Sequence, residues 1–173
     1  MKVTTLHSDE YLEFYQGYIN NIPKEQSLGI LFQENKKELL QVLNEEISAE
    51  KLKFRYAEGK WSIAEVLQHL IDVERIFQYR ALCIARGDQT SLPGFDHDEY
   101  AKNSFASARS LNDFKKEFET VRNSTIKLYR SFPEAVLEQR GTMNGAPASV
   151  RAIGFIVVGH AMHHKKILME KYL

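Results

Sequence analysis

From Leu111 to Phe132 apolar residues return every three or four positions, through Phe114, Phe118, Val121 and Leu128, with Thr125 holding one intervening turn and charged residues filling the rest. A half-buried strand would alternate every second residue. The longer period is that of one helix face laid into a core, and it commits this part of the chain to a packed helix.

The breakers show how far the pattern extends. Pro23, Pro93, Pro133 and Pro147, with Gly59, Gly87, Gly94, Gly141 and Gly145, all fall between helically periodic segments and cut the chain into helices. One helix is predicted from about Leu28 to Ile47, presenting Leu28, Phe32, Leu39, Leu43 and Ile47, with Gly29 weakening its start. Another begins in KWSIAEVLQHL, where Ser62 is the cap, Glu65 stands three residues on, and Trp61 and Val66 occupy the two positions of a hydrophobic staple. It runs to about Arg86, a length of roughly 37 Å at 1.5 Å per residue. The last helix is predicted from Ser149 to the C-terminus through Ile153, Val157, His160, His164 and Leu168, and a short one over Ser8 to Asn20. No alternating pattern competes. The expected fold is all-α, a four-helix bundle with an additional short N-terminal helix, in one domain over residues 1–173, of which 1–27 form an N-terminal extension and 28–173 the bundle. The polar connection 87–110, containing LPGFDHDEY, is long enough to be a functional loop.

The 173 residues carry 23 basic and 23 acidic side chains. With no net charge and no basic patch, neither nucleic acid nor an anionic membrane is an expected partner, and a small-molecule substrate is. Cys83 is the single cysteine, so no internal disulfide forms, which fits a reducing cytoplasm. The opening residues show no signal-like apolar core, and no run approaches the roughly 20 apolar residues of a membrane span. The expected location is cytoplasmic.

His160 and His164 lie four apart on the apolar stripe of the last helix, one above the other on the same face. Imidazoles pointing inward need partners, and one metal ion between them would satisfy both. Spacing alone leaves two other accounts open: core histidines hydrogen-bonded to carboxylates or carbonyls, or a helix rotated to leave them wet. His69, near the edge of the stripe of Val66, Val73 and Phe77, is the best-placed third ligand. His163 points about 60° away from His160 around the helix and reads as a supporting or surface residue. His7 falls in a tail and His97 in a polar loop where solvation is expected. Cys83 lies about 21 Å along the helix from His69, too far to share a site, and reads as a buried structural thiol.

The segments W61-S-I-A-E-V-L-Q-H69-L and G159-H160-A-M-H163-H164 together resemble the DinB/YfiT-like superfamily of bacterial four-helix-bundle metalloproteins, over about Leu28 to the C-terminus. The resemblance implies a three-histidine site for a divalent metal at His69, His160 and His164. Zinc or nickel would suit it best, and iron and manganese are also compatible. Relatives in that superfamily are transferases and isomerases that use a low-molecular-weight thiol such as bacillithiol or mycothiol, or are described as metal-dependent hydrolases.

Three imidazoles leave a four-coordinate metal one open position, the pattern of a catalytic site more than of a structural one. The reading is therefore a metal-dependent thiol transferase or hydrolase. Candidate acid–base or supporting groups are Glu65, which the capping box already explains, Asp72, one turn from His69, Glu74, beside the apolar stripe, and His163. Asp96, Asp98 and Glu99 could reach over the site from the loop. The competing class is a non-catalytic bundle whose metal is structural, a metal sensor, or a homodimer joined through Tyr11, Phe14, Tyr15 and Tyr18.

Overall fold

The computed structural model describes residues 1–173. Four long helices, α2 (Leu28–Glu45), α3 (Ile63–Ala85), α5 (Leu111–Arg130) and α6 (Val150–Ile167), form the bundle, with short helices α1 (Gln16–Asn20) and α4 (His97–Lys102) beside it. A π-helical turn, Leu168–Tyr172, extends α6. The starts of the long helices follow the local chemistry. Ser62 and Glu65 form the reciprocal box at the head of α3, with Glu65 N–H donating to Ser62 Oγ and Ser62 N–H to Glu65 Oε2. Ser110 and Asp113 repeat it on α5, and Ser149 Oγ accepts from Ala152 N–H on α6. Each cap satisfies donors that a helix start otherwise strands.

Helix α3 packs between α5 and α6, and α2 also packs between α5 and α6, so α2 and α3 occupy opposite corners. The core has two parts. The first half of α2, the second half of α3, the end of α5 and the start of α6 bury Phe32, Phe77, Tyr129 and Phe155 in one. The remaining halves bury Leu39, Leu67, Phe114 and Leu168 in the other. This division fixes the directions: α2 and α6 run one way, α3 and α5 the other. Parallel α3 and α5 need a crossover, and residues 86–110 supply it.

A polar layer separates the two apolar parts. Arg122, fully enclosed, donates from Nε and Nη2 to the two Glu74 oxygens at 2.7 and 2.9 Å and from Nη1 to Asn35 Oδ1 at 2.6 Å. Thr125 donates to Glu74 at 2.6 Å. On the α6 side of the same layer lie the histidines.

One expectation needs correction. The N-terminal helix over Ser8 to Asn20 is reduced to single 3-10 turns and α1, because the backbone is extended at Tyr11 and Leu12. Glu10 turns inward there to meet Arg151 and Ser149, and Tyr15 and Ile19 enter the core along a path that a continuous helix would not follow. The all-α bundle is as expected, with one small hairpin added to it: β1 (Arg140–Met143) and β2 (Ala146–Ser149) pair antiparallel with Met143 opposite Ala146. Asn144 and Gly145, at φ 53° and 75°, make the two-residue turn that Asn-Gly favours. Within the 87–110 connection Asp96 caps α4 by accepting from Asp98 and Glu99 N–H. No helix is long and apolar enough to cross a membrane.

Candidate metal centre

Because α3 and α6 are antiparallel neighbours, the early turns of α3 meet the late turns of α6. That brings His69 to His160 and His164. His69 Nε2 and His160 Nε2 stand 3.0 Å apart, and one donor atom from each of the three rings falls within 4.8 Å of the others. The His160 and His164 ring centroids are 4.5 Å apart, and those of His69 and His164 4.9 Å. All three side chains are buried.

Burial sets their protonation. It pushes His69 down to about 3, with a smaller contribution from nearby His97, and holds His160 and His164 well below the usual imidazole range, with the neighbouring histidines adding to the effect. All three are therefore neutral at pH 7, the form that binds metal. No carboxylate reaches them. His164 Nδ1 is enclosed without any hydrogen-bond partner, an unusual state for a buried polar atom. Converging neutral imidazoles, one of them unpartnered, are a donor set that fits a divalent cation and is poorly explained as core packing.

Supporting contacts hold the cluster in place. Trp61 lies against His69 with ring centroids 4.7 Å apart, and its indole N–H donates to Asp98 Oδ1 at 3.0 Å, tying the head of α3 to α4. Tyr18 of α1 packs edge-on against His160 at 5.5 Å and against His163 at 5.2 Å. His163 is half-buried at the margin of the cluster and outside the trio.

The other candidates lie elsewhere. Glu65 is occupied by its cap and by Arg55 Nη1 at 2.7 Å; burial alone would raise its pKa, but Arg55 and Ser62 outweigh it and the carboxylate stays ionised. Asp72 accepts from Gln68 at 2.9 Å and makes no hydrogen bond to His69, so it does not orient that ring. Glu74 is held by Arg122 on another side of α3 and is a structural ion pair. Asp96 is a helix cap, Asp98 binds Trp61, and Glu99 pairs with Lys102 at 3.4 Å. Cys83 is half-buried rather than enclosed.

The histidine cluster forms one end of a cavity of about 210 Å³. The N-terminal segment contributes Phe14, Tyr15 and Tyr18 to its walls, and α3 contributes Phe77 and Arg80. Phe95 and His97 enter from the crossover. His97, expected to be a solvated loop residue, is exposed on one side but places its ring 5.3 Å from that of His69. Partial burial lowers its pKa despite Asp96 and Asp98, which act the other way. Sequence reasoning missed His97 and Arg80 as site residues. The signal available was the Asp96 cap, which turns FDHDEY into a helix start and fixes the direction of His97.

The model of the DinB superfamily matches residues 31–168, a span that contains all three histidines. The chain belongs to the DinB superfamily. Among solved DinB-like folds, YfiT from Bacillus subtilis, described as a probable metal-dependent hydrolase with an unusual four-helix bundle topology, superposes with a TM-score of 0.74. The two chains are 14% identical, and the match covers 86% of this one and 90% of YfiT. At that identity the likeness concerns the fold. No curated protein matches the chain by sequence.

Proposed function

We propose that this DinB-superfamily protein is a divalent-metal-dependent enzyme that attacks a small-molecule electrophile with water or with a low-molecular-weight thiol, as a hydrolase or a thiol transferase. One observation carries the reading: three neutral, buried imidazoles converge at the end of an open, largely aromatic cavity. A structural metal would gain nothing from an adjoining cavity. The description of YfiT as a probable metal-dependent hydrolase supports the same class.

His69, His160 and His164 would hold the metal, with zinc or nickel best suited and iron or manganese compatible. Bound there, a divalent metal lowers the pKa of water or thiol toward neutrality and offers positive charge to a developing oxyanion. Trp61 keeps the His69 ring from rotating away. His97, neutral at pH 7 and outside the ligand cluster, is placed to accept the proton that the nucleophile loses. The aromatic walls favour a small organic substrate with an apolar body.

Elemental analysis of the wild type beside His69→Ala and His160→Ala comes first, followed by panels of esters, amides and alkylating electrophiles with and without bacillithiol or mycothiol. Stoichiometric metal in the wild type, its loss in both variants, and turnover in one panel is the expected outcome. Metal without turnover in any panel would return the site to a structural or sensing role.

A further inference from the structure

Arg80 lines the same cavity, is 3% exposed, and has no acidic partner. Its Nη2 donates to the Pro93 carbonyl, the neutral Tyr15 hydroxyl lies beside the guanidinium, and the guanidinium stands 5.4 Å from the Phe77 ring and 5.8 Å from that of Phe95. A guanidinium carries five N–H donors. The other buried arginines differ: Arg122 is met by both oxygens of Glu74 and Arg151 by both oxygens of Glu10. The chain supplies a carboxylate to each of those and none to Arg80, although a buried charge without a counter-charge is costly.

Its position relates it to the histidines. His69, Val73, Phe77 and Arg80 follow one another at helical spacing along the cavity side of α3, which sets His69 and Arg80 roughly 16 Å apart along the axis at 1.5 Å per residue. The cavity thus has an uncharged imidazole cluster at one end, an unpaired cation toward the other, and aromatic rings between. The roof over Arg80 is braced from outside. Leu92 pairs with the hairpin through its N–H to Thr142 O and its carbonyl to Asn144 N–H, and the Asn144 side chain lies against Gly94 so closely that a Cβ there would meet Oδ1 at 2.3 Å.

We propose that the substrate is an amphipathic organic anion, its carboxylate or phosphate taken by Arg80 and its reacting end directed toward His69, His160 and His164. The assignment of a reacting end rests on the enzymatic reading above; the anion site does not. Guanidinium matches the planar pair of oxygens that both anions offer, and the apolar body lies along Phe77 and Phe95.

The test measures dissociation constants on the full chain, metal-free and zinc-loaded, for 4-phenylbutyrate, 4-phenylbutyramide and 2-phenylethyl phosphate. Both anions should bind metal-free protein, whichever binds better identifying the natural headgroup, and the neutral amide should bind about ten- to hundredfold more weakly. Arg80→Gln should bring the anions down to the level of the amide, Arg80→Lys should restore part of the difference, and His160→Ala should leave it unchanged. Equal binding of acid and amide, failure of both anions to bind, or an acid preference that survives Arg80→Gln would overturn the proposal and make Arg80 a staple for the Pro93 loop. So would a preference abolished by His160→Ala. If Arg80→Gln does not fold, the wild-type comparison and Arg80→Lys decide. A protein that binds the anions but turns nothing over would keep the anion site and lose the enzymatic reading.

Discussion

Gly159 lies directly against the backbone of Tyr18: a Cβ on that glycine would stand 2.4 Å from the Tyr18 carbonyl oxygen and 2.8 Å from its carbon. The contact is helix against backbone, so no side-chain rotation can relieve it. The glycine that precedes His160 is therefore what lets α1 close over α6 and place the Tyr18 ring on His160.

Gly159→Ala should push α1 off the bundle, costing about 1–3 kcal/mol as an overpacked contact and opening the cavity. Gly17 is the control, because nothing lies within 4 Å of a Cβ there and it sits inside α1. Gly17→Ala should be neutral or stabilising by up to about 1 kcal/mol. Urea unfolding of both variants checks this; equal stabilities would mean that α1 does not depend on the close approach.

The Glu74–Arg122 pair leads to a second prediction, because it lies in the same polar layer as the histidines but on another side of α3. Glu74→Ala leaves the enclosed Arg122 guanidinium without its carboxylate and should destabilise the fold by about 3–5 kcal/mol. Metal stoichiometry of the folded variant should match wild type. Loss of metal at unchanged stability would instead make Glu74 part of the metal site.

Much of this was legible in the sequence because it depends on local periodicity. The stripe of α5, the cap and staple of α3 and the i, i+4 pair on α6 each lie within one helix, and the family motifs joined His69 to the pair. What escaped depends on contacts between distant segments. Glu10 breaks the N-terminal helix only because Arg151 and Ser149 wait across the fold. Arg122 reaches the Glu74 carboxylate from another helix, which leaves Arg80, on the same helix as Glu74, without it. The hairpin was different: Asn144-Gly145 is a local signal, overlooked because its flanking strands, RGTM and APAS, are short and carry little β-forming character.

His97 should prove separable from metal binding. His97→Asn keeps a polar residue at the start of α4 and removes the base, so metal content should stay at wild-type level. Turnover, once a substrate is found, should fall by about 10²- to 10⁴-fold, the usual range for losing a general acid or base. Loss of metal in this variant would place His97 among the ligands; full activity would assign the proton transfer elsewhere.

The metal-free protein should lose stability as pH falls below about 6.5, and the sign follows from the direction of the histidine shifts. Burial holds His69 at about 3 and His160 and His164 well below 6.5, so between those limits the unfolded chain binds protons that the folded chain refuses. Stability from these groups is complete above the unfolded value and is lost as pH falls toward the folded one. Each buried imidazole can contribute a slope of about 1.4 kcal/mol per pH unit, hence about 4 for the three, with His97 and His163, also lowered, adding to it. Between pH 6.5 and 4.5 only the upper part of the window, above about pH 5.5, is clean of Glu10, where burial pushes the pKa up but hydrogen bonds from Arg151 and Ser149 outweigh it and bring it to about 2, because the unfolded carboxyl begins to take up protons as pH approaches 4.5. Urea unfolding of chelator-treated protein across that range, beside His160→Ala, measures the proton uptake directly. The variant should lose about one proton's worth of slope. A wild-type stability that stays flat from pH 7 to 5 would mean that the three rings are wet and would remove the basis for a buried, metal-ready cluster.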